Sequence, residues 1–182
     1  MTQTTRLAPQ RRPGLQTFRG ALQRLSMTLM LVMLTAMTAW AQVEIPGLTY
    51  NAGGYYEIGS AADLEVFAKY YEGFNGGDGK VFKMTHDIDM TGFDTSLLPI
   101  ASLTSENMFN DVFDGNGHKI TGLSVVLDGN RTYYGLFQQL GSSATVKNLT
   151  LADCDVRYTG NTNATPVGGI AGRNRGTIQN CT

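Results

Sequence analysis

The chain has 182 residues, with 14 Lys and Arg, 15 Asp and Glu and two His, which gives a formal net charge of −1 at pH 7. Five of the arginines lie in the first 41 residues, which hold no acidic residue, so the segment from Gln42 to Thr182 carries nine basic side chains against all 15 acidic ones. Nucleic-acid binding is therefore disfavoured, because neutralising phosphates requires clustered Lys and Arg. The length allows one domain with a substantial core.

The N-terminal segment, residues 1–41, is predicted to be a secretory signal peptide. It combines a basic start, an apolar run from Met27 to Met37 and a small-x-small site at Ala39-Trp40-Ala41. The apolar run is shorter than the roughly 20 residues that a membrane-spanning helix needs. We predict cleavage after Ala41 and a secreted or cell-surface protein without a membrane span in its mature part.

One amphipathic helix is predicted at residues 61–72. Ser60 and Asp63 have the spacing of a helix-capping box, and Gly73 follows as a stop signal. The apolar positions at helical spacing are Leu64, Phe67, Ala68 and Tyr71. Because a stack of strands exposes its apolar interior at an open end, we predict that residues 42–79 form an N-terminal cap.

Beyond the helix, residues 80–182 are predicted to form short strands. The first are Val81–Met84 and a segment containing Ile88 and Met90. Helical periodicity is absent here, and the apolar stretches are short, rich in aliphatic and β-branched residues, and separated by Gly, Asn, Asp and Ser. This pattern indicates many strands joined by sharp corners.

Three of these segments share one pattern, which reads aliphatic, polar, Gly or Asn, apolar. They start at Ile120, Val146 and Ile178, 26 and then 32 residues apart. A period in this range is typical of stacked repeats rather than a single globular core. Aligning the segments predicts a structural ladder of apolar side chains: Ile120, Leu123, Val125, Val146, Leu149, Leu151, Ile178 and Cys181.

The predicted fold class is all-β: a parallel β-helix, or solenoid, with a capping helix and an open C-terminal end. A β-sandwich is the alternative, since many short strands with regular turns also describe it. The last repeat stops at Cys181-Thr182, in mid-strand by comparison with the copy before it. We expect further C-terminal rungs, in other words further turns of the helix, or a partner chain at this end.

Several motifs, in this order, resemble bacterial secreted β-helix proteins of the GLUG-repeat type. They are Ser60-Ala-Ala-Asp63-Leu64, Asp87-Ile88-Asp89-Met90, Phe113-Asp-Gly-Asn-Gly-His118, Gly135-Leu136-Phe137 and Gly168-Gly-Ile-Ala-Gly172, over roughly residues 55–182. Such proteins are similar to surface adhesin repeats and to the N-terminal region of immunoglobulin A1 protease-like metallopeptidases. The resemblance implies a right-handed parallel β-helix outside a bacterial cell, and it does not imply an enzyme. Ile170-Ala171 departs from the usual Leu-Val of the repeat.

Two acid pairs are the candidate surface site, Asp87 with Asp89 and Asp153 with Asp155. Carboxylates at i and i+2 on a strand point to the same side, which a metal or an acid–base pair could use. Here the alternation places Ile88 and Cys154 inward and the carboxylates in solvent. The sequence therefore assigns no catalytic residue, cofactor or metal.

The predicted function is a non-catalytic, adhesin-like binding scaffold whose partner is a glycan or a host surface protein. A polysaccharide-degrading lyase or glycosidase is the alternative. Adjacent tyrosines such as Tyr133-Tyr134 should turn at most one ring outward, where it could stack on a sugar. Cys154 and Cys181 are predicted to be free thiols, because their register separates them by more than a disulfide spans.

Overall fold

The computed structural model describes residues 45–72, 77, 79–93, 98–100, 108–127, 132–160 and 166–182. The predicted signal peptide with its cleavage site, and the predicted helix stop at Gly73, lie outside the described residues. Within these ranges the protein is mostly β, with several small sheets and one helix. That helix is too short and too polar to cross a membrane.

The described strands are two to four residues long. They are β1 (Tyr50–Asn51), β2 (Tyr55–Ile58), β3 (Val81–Met84), β4 (Ile88–Asp89), β5 (Val112–Asp114), β6 (Lys119–Thr121), β7 (Ser124–Leu127), β8 (Phe137–Leu140), β9 (Thr145–Lys147), β10 (Thr150–Ala152), β11 (Asp155–Tyr158), β12 (Ala171–Asn174) and β13 (Thr177–Gln179). The helix α1 (Ala61–Glu72) lies between β2 and β3.

The main sheet has the order β1-β2-β3-β5-β9-β13. β1 pairs antiparallel with β2, and every other neighbour in this sheet is parallel. Its register aligns one column of side chains, which we call the central column: Tyr56, Phe82, Phe113, Val146 and Ile178. Because parallel neighbours cannot be joined by a tight hairpin, each return to this sheet takes a long connection.

Three smaller sheets are parallel as well, with the orders β10-β6-β4, β11-β7 and β12-β8. As a result, β5–β8 and β9–β12 are two consecutive four-strand units, the first unit and the second unit. Each strand of the first unit pairs in parallel with its counterpart in the second. The chain therefore repeats one order of strands.

The predicted ladder is correct for the pairing of the third repeated segment with the second, and wrong for the pairing of the second with the first. Ile178 pairs with Val146, as predicted. Ile120, however, pairs with Ile88 and Leu151, and Val146 pairs with Phe113. The corner after Phe113 is the cause, because Ile120 follows seven residues after Phe113, whereas Leu151 follows five after Val146.

The recurring Gly or Asn of the sequence pattern therefore belongs to two different corners. Asn148 and Asn180 follow the main sheet and have φ values of 54° and 52°. Gly122 follows the β6 strand of another sheet, at the position that Asp153 takes after β10, with φ values of 65° and 52°. Both corners need left-handed backbone, which Gly and Asn tolerate best.

α1 has the bounds that the sequence predicts. The Ser60 hydroxyl accepts a hydrogen bond from the Asp63 amide at 3.1 Å, and the Asp63 carboxylate accepts one from the Gly59 amide at 3.0 Å. These bonds satisfy backbone donors at the start of the helix. The buried face consists of the four predicted positions, Leu64, Phe67, Ala68 and Tyr71.

The core is an aromatic cluster built around Phe67 of α1. The Phe67 ring centroid lies 4.5 Å from that of Phe82 and 5.5 Å from that of Phe113. It also contacts Phe109 and Phe137, whose rings are fully buried. The helix therefore packs on side chains from both the main sheet and the first unit.

The sequence prediction placed the first strand at β3 and missed β1 and β2, where Tyr56 already belongs to the central column.

Candidate functional site

The first predicted acid pair, Asp87 and Asp89, lies at β4. Asp87 is hydrogen-bonded to residues of the first unit. Its Oδ1 accepts a hydrogen bond from the Lys119 amide at 3.1 Å and lies 3.1 Å from Nδ1 of His118. The hydrogen bond from the Lys119 backbone amide, followed by the one with the His118 side chain, holds the pKa of Asp87 below its ordinary value of 3.8. Asp87 therefore links two neighbouring strands of one sheet, β4 and β6, through a carboxylate that stays ionised.

Asp89, the second member of this pair, closes a local turn. Its Oδ1 accepts a hydrogen bond from the Thr91 amide at 2.9 Å. Hydrogen bonds from the Thr91 side chain and amide lower the pKa of Asp89. A general acid has to keep its proton at working pH, so neither carboxylate suits that role. Ile88 between them is 1% exposed, and both carboxylates are exposed, as the alternation predicted.

Asp114 at the corner after β5 is a structural carboxylate. It accepts hydrogen bonds from the Asn116 amide at 2.8 Å and from Asn148 Nδ2 at 2.9 Å, and Lys147 Nζ lies 3.4 Å away. Burial opposes its ionisation more than any other single influence, but the two hydrogen bonds and the Lys147 charge together lower its pKa. Asn116 and Gly117 form a left-handed turn after this carboxylate, with φ values of 55° and 81°.

An asparagine ladder runs along this corner, with its members at Asn116, Asn148 and Asn180. All three have left-handed backbone. Asn116 Nδ2 donates to the Met84 carbonyl at 3.1 Å, and Asn180 Nδ2 donates to Asn148 Oδ1 at 3.3 Å. These side-chain amides form hydrogen bonds from one corner to the next, so their role is structural.

The second acid pair brackets Cys154. Asp155 forms an ion pair with Arg157 at 3.1 Å, and Asp153 takes a left-handed corner with a φ of 52°. The Cys154 thiol lies 3.2 Å from the Ala152 carbonyl. Burial raises the pKa of this thiol, which keeps it protonated and unreactive at neutral pH. Cys154 and Cys181 are both free, as the sequence predicts.

The fold does not unite the two acid pairs. Asp89 belongs to β4, whereas Asp153 and Asp155 follow β10, and β6 lies between those two strands. In the part of the chain that the structure describes, no three His, Cys, Asp or Glu side chains come together as metal ligands. Among the described residues, the structure brings the candidate Asp87 into contact with His118.

An open concavity, the end concavity, lies beside β10–β13. Its lining is mostly apolar: Leu151, Asp153, Cys154, Val156, Gly169, Ile170, Ala171, Ile178 and Thr182. Ile178 there is 37% exposed. Exposed apolar surface of this kind marks a place where another surface can pack.

A different group of side chains, the arginine cluster, joins β8 and β12. It consists of Arg173, Tyr133 and Gln139. The Arg173 guanidinium lies over the Tyr133 ring, 5.5 Å from its centroid. Arg173 Nη1 donates to the Tyr133 hydroxyl at 3.3 Å and lies 3.5 Å from Gln139 Oε1. Gln139 is 1% exposed, so a buried amide fixes one end of a partly exposed guanidinium.

Sequence reasoning named Tyr133 alone and did not bring Arg173 or Gln139 together with it. The signal was present, because aligning Gly135-Leu-Phe with Gly169-Ile-Ala places Gln139 opposite Arg173, the register that the structure has. Gly172 permits this approach, since a Cβ there would lie 2.4 Å from the Tyr134 amide nitrogen.

The prediction for adjacent tyrosines is confirmed. In each pair one ring is buried and the other is partly exposed: Tyr56 beside Tyr55, Tyr71 beside Tyr70 and Tyr134 beside Tyr133. Tyr50 adds a further ring that is 41% exposed. The surface thus offers several aromatic side chains.

No family model matches the chain. It is 36% identical over 140 residues to "Halomucin" of Haloquadratum walsbyi, a match that covers 72% of this chain and 1% of that protein. It is 33% identical over 130 residues to a "Putative Gly-rich membrane protein" of Evansella cellulosilytica, covering 69% of this chain and 14% of that protein. The chain therefore spans a small part of the length of these relatives.

One solved structure is similar, the crystal structure of a "putative immunoglobulin A1 protease" from Bacteroides ovatus. The TM-score is 0.53 at 20% identity, and the match covers 72% of this chain and 38% of that chain. At this identity the likeness concerns the fold alone. It agrees with the predicted likeness to proteins of this type, and the GLUG repeat stays a prediction.

Proposed function

We propose that the chain is a module of a secreted or cell-surface protein, built as a right-handed parallel β-helix and serving as a non-catalytic, adhesin-like binding scaffold. The observation that carries the proposal is the one-to-one parallel pairing of the first unit with the second. Paired positions lie 31 to 34 residues apart in all four sheets. Stacked units of this kind present long, regular surfaces, which solenoid proteins use for binding.

The location outside the cell has two supports. The sequence predicts a signal peptide that is cleaved after Ala41. One relative is named "Halomucin" and the other a "Putative Gly-rich membrane protein". Neither name is that of an enzyme.

The proposal includes a neighbour for the end concavity. Its apolar lining, with Ile178 on one outer strand, suits another coil of the same repeat or a partner chain that adds strands to the open edges. The partners bound by the lateral surfaces are proposed to be glycans or host surface proteins.

A polysaccharide-degrading enzyme is the second candidate, and the His118–Asp87 pair is the observation that favours it. An imidazole oriented by a carboxylate is the arrangement that general bases use. Against it, the carboxylates of Asp87, Asp89 and Asp114 have lowered pKa values, which leaves no proton donor among them at neutral pH.

The deciding experiment expresses the full chain in an exporting bacterial host and presents the purified protein to an array of polysaccharides and host surface proteins. Bound protein and released reducing or unsaturated ends are measured on the same samples. We expect retention without release. Product release that is lost in His118→Ala, or in the double variant Asp153→Asn/Asp155→Asn, would identify an enzyme instead.

A further inference from the structure

The arginine cluster carries an inference that rests on the proposed binding function and gives it a site. Arg173 has no carboxylate partner in the described part of the chain. By contrast, Lys69, Lys147 and Arg157 each lie within 4.0 Å of an acidic side chain. This guanidinium thus has no counterion among the described residues, on a chain whose segment from Gln42 to Thr182 is acidic.

The guanidinium is also held in a fixed orientation. Its Nη1 is directed to the Tyr133 hydroxyl and Gln139 Oε1, and the Tyr133 ring lies against it. On the other edge of the guanidinium, the N–H groups of Nε and Nη2 point in the same direction. Neither nitrogen has an acceptor among the described residues. That edge matches the two oxygens of a carboxylate or a sulfate.

We propose that Arg173 is the anchor of a binding site for acidic glycans, in which the Nε–Nη2 edge receives an oxyanion of the sugar. Tyr133 and Gln139 are positioning residues, because both accept hydrogen bonds from Nη1 rather than from Nε or Nη2. Arg175, which is exposed two residues further on, adds a second positive charge near the same strand end. A carboxylate, as in a uronic acid, or a sulfate ester provides the complementary chemistry.

The site differs from the aromatic platforms expected for neutral sugars. One face of the Tyr133 ring is already occupied by Arg173, so charge and fork geometry rather than ring stacking determine the ligand class. A partly exposed, fixed guanidinium attracts polyanions in a salt-dependent way, since the Debye length is about 8 Å at physiological ionic strength.

The test measures binding of the exported full chain to four probes: polygalacturonate, its methyl ester, dextran sulfate and dextran. We expect binding to polygalacturonate, to dextran sulfate or to both, with little binding to the two uncharged polymers. Arg173→Ala should weaken acidic-polymer binding by about tenfold or more, the size expected when a charge-assisted hydrogen-bond pair is lost. Loss on polygalacturonate alone identifies a carboxylate ligand, and loss on dextran sulfate alone identifies a sulfate.

Two further variants distinguish loss of the bidentate guanidinium contact from loss of a positive charge alone. Arg157→Ala removes the same charge from an exposed, ion-paired position and should change binding by less than about twofold. Arg173→Lys keeps the charge and should still lose most of the affinity, since lysine cannot form the bidentate contact. Circular dichroism checks that each variant is folded.

Four outcomes overturn the proposal. If Arg173→Lys binds as the wild type does, or if the Arg157 and Arg173 variants lose affinity equally, the fork is not the site. Wild-type binding only to the neutral polymers overturns this inference and leaves the binding function standing. If the wild type binds neither these probes nor any polysaccharide or host protein of the array, the proposed function fails with it.

Discussion

The central column shows that a single register can hold side chains in two very different environments. Tyr56, Phe82, Phe113 and Val146 are at most 2% exposed, whereas Ile178 in the same column is 37% exposed. The parallel backbone pairing is continuous from β2 to β13. Strand pairing therefore sets the register along the whole column, whereas the burial of the column's side chains differs from one end to the other.

The difference follows what packs against each end of the column. At the β2 end, α1 places Phe67 among the rings of the first strands, and side chains there are fully buried. At the β13 end, the core is extended by side chains that are only partly buried: Leu151, Cys154, Val156, Ile170, Ala171 and Cys181. We expect the α1 end to dominate stability and the β10–β13 end to contribute less.

The largest effect should come from Phe67→Ala, which removes the ring at the centre of the aromatic cluster. A buried Phe→Ala change costs about 3–5 kcal/mol of the free energy of unfolding, a large part of the stability of a typical domain. Urea denaturation followed by circular dichroism measures it. Phe67→Leu, which keeps an apolar side chain, should cost less and stay folded.

Ile178→Ala is the matched change at the other end of the column. Since more than a third of this side chain is already in water, we expect a loss below about 1 kcal/mol. Equal losses for Phe67→Ala and Ile178→Ala would break the comparison between the two ends.

The sequence predicted the α1 end better than the order of the strands. Helical spacing of Leu64, Phe67 and Tyr71 is a local signal, and the helix has the predicted bounds. The columns are not local. The pattern that begins at Ile120 also fits the segment at Val146, but the two lie in different sheets. A corner that is two residues longer is invisible to pattern matching, because loop length costs little energy.

The candidate site was predictable only in part. Alternation correctly placed the two acid pairs in solvent, since side-chain direction along a strand follows from the local period of two. The contact between Asp87 and His118, and the arginine cluster, cross between strands more than 30 residues apart. Such contacts depend on strand register, and the register predicted from the repeated pattern was wrong for the sheet that contains β6.

Tyr71→Phe tests a polar contact in the same buried end and should have the next largest effect. The Tyr71 hydroxyl donates to Asp111 Oδ2, and the Lys80 amide donates to Oδ1 at 2.9 Å. Asp111 is 1% exposed, so losing a donor leaves a buried carboxylate oxygen poorly satisfied, at a cost of about 1–3 kcal/mol. Urea denaturation measures the loss.

Arg157→Gln is the control for this polar contact, because it breaks an exposed ion pair with Asp155. Exposed pairs contribute about 0–1 kcal/mol. A Tyr71→Phe variant no less stable than Arg157→Gln would mean that the buried contact adds nothing beyond a surface pair.

The asparagine ladder allows a partly buried and an exposed position, Asn148 and Asn180, to be compared at the same kind of corner. Asn148→Ala places alanine at a φ of 54° and removes the hydrogen bond to Asp114, and we expect a loss of about 2 kcal/mol. Asn148→Gly keeps the left-handed backbone and should cost less. Asn180→Ala, at the exposed end of the ladder, should cost about 1 kcal/mol. Thermal and urea unfolding compare the three, and a costlier glycine variant would show that backbone strain is not the cause.

The smallest effect concerns the outward column beside the central one, where Lys83, Asp114, Lys147 and Gln179 are neighbours in register. Charges alternate through Lys147 and stop at Gln179. The pKa of Asp114 is lowered in the folded chain, so the stability it contributes is present above its unfolded pKa of about 3.9 and is lost as pH falls through the lower folded value.

Asp114→Asn should therefore flatten the fall in stability below about pH 4, measured as the urea midpoint at pH 7, 4 and 3. Lys147→Gln, which removes only the neighbouring charge, should flatten it less, because the hydrogen bonds from Asn148 and Asn116 remain. If Asp114→Asn follows the same acid profile as the wild type, this carboxylate is no better satisfied in the folded chain than in the unfolded one.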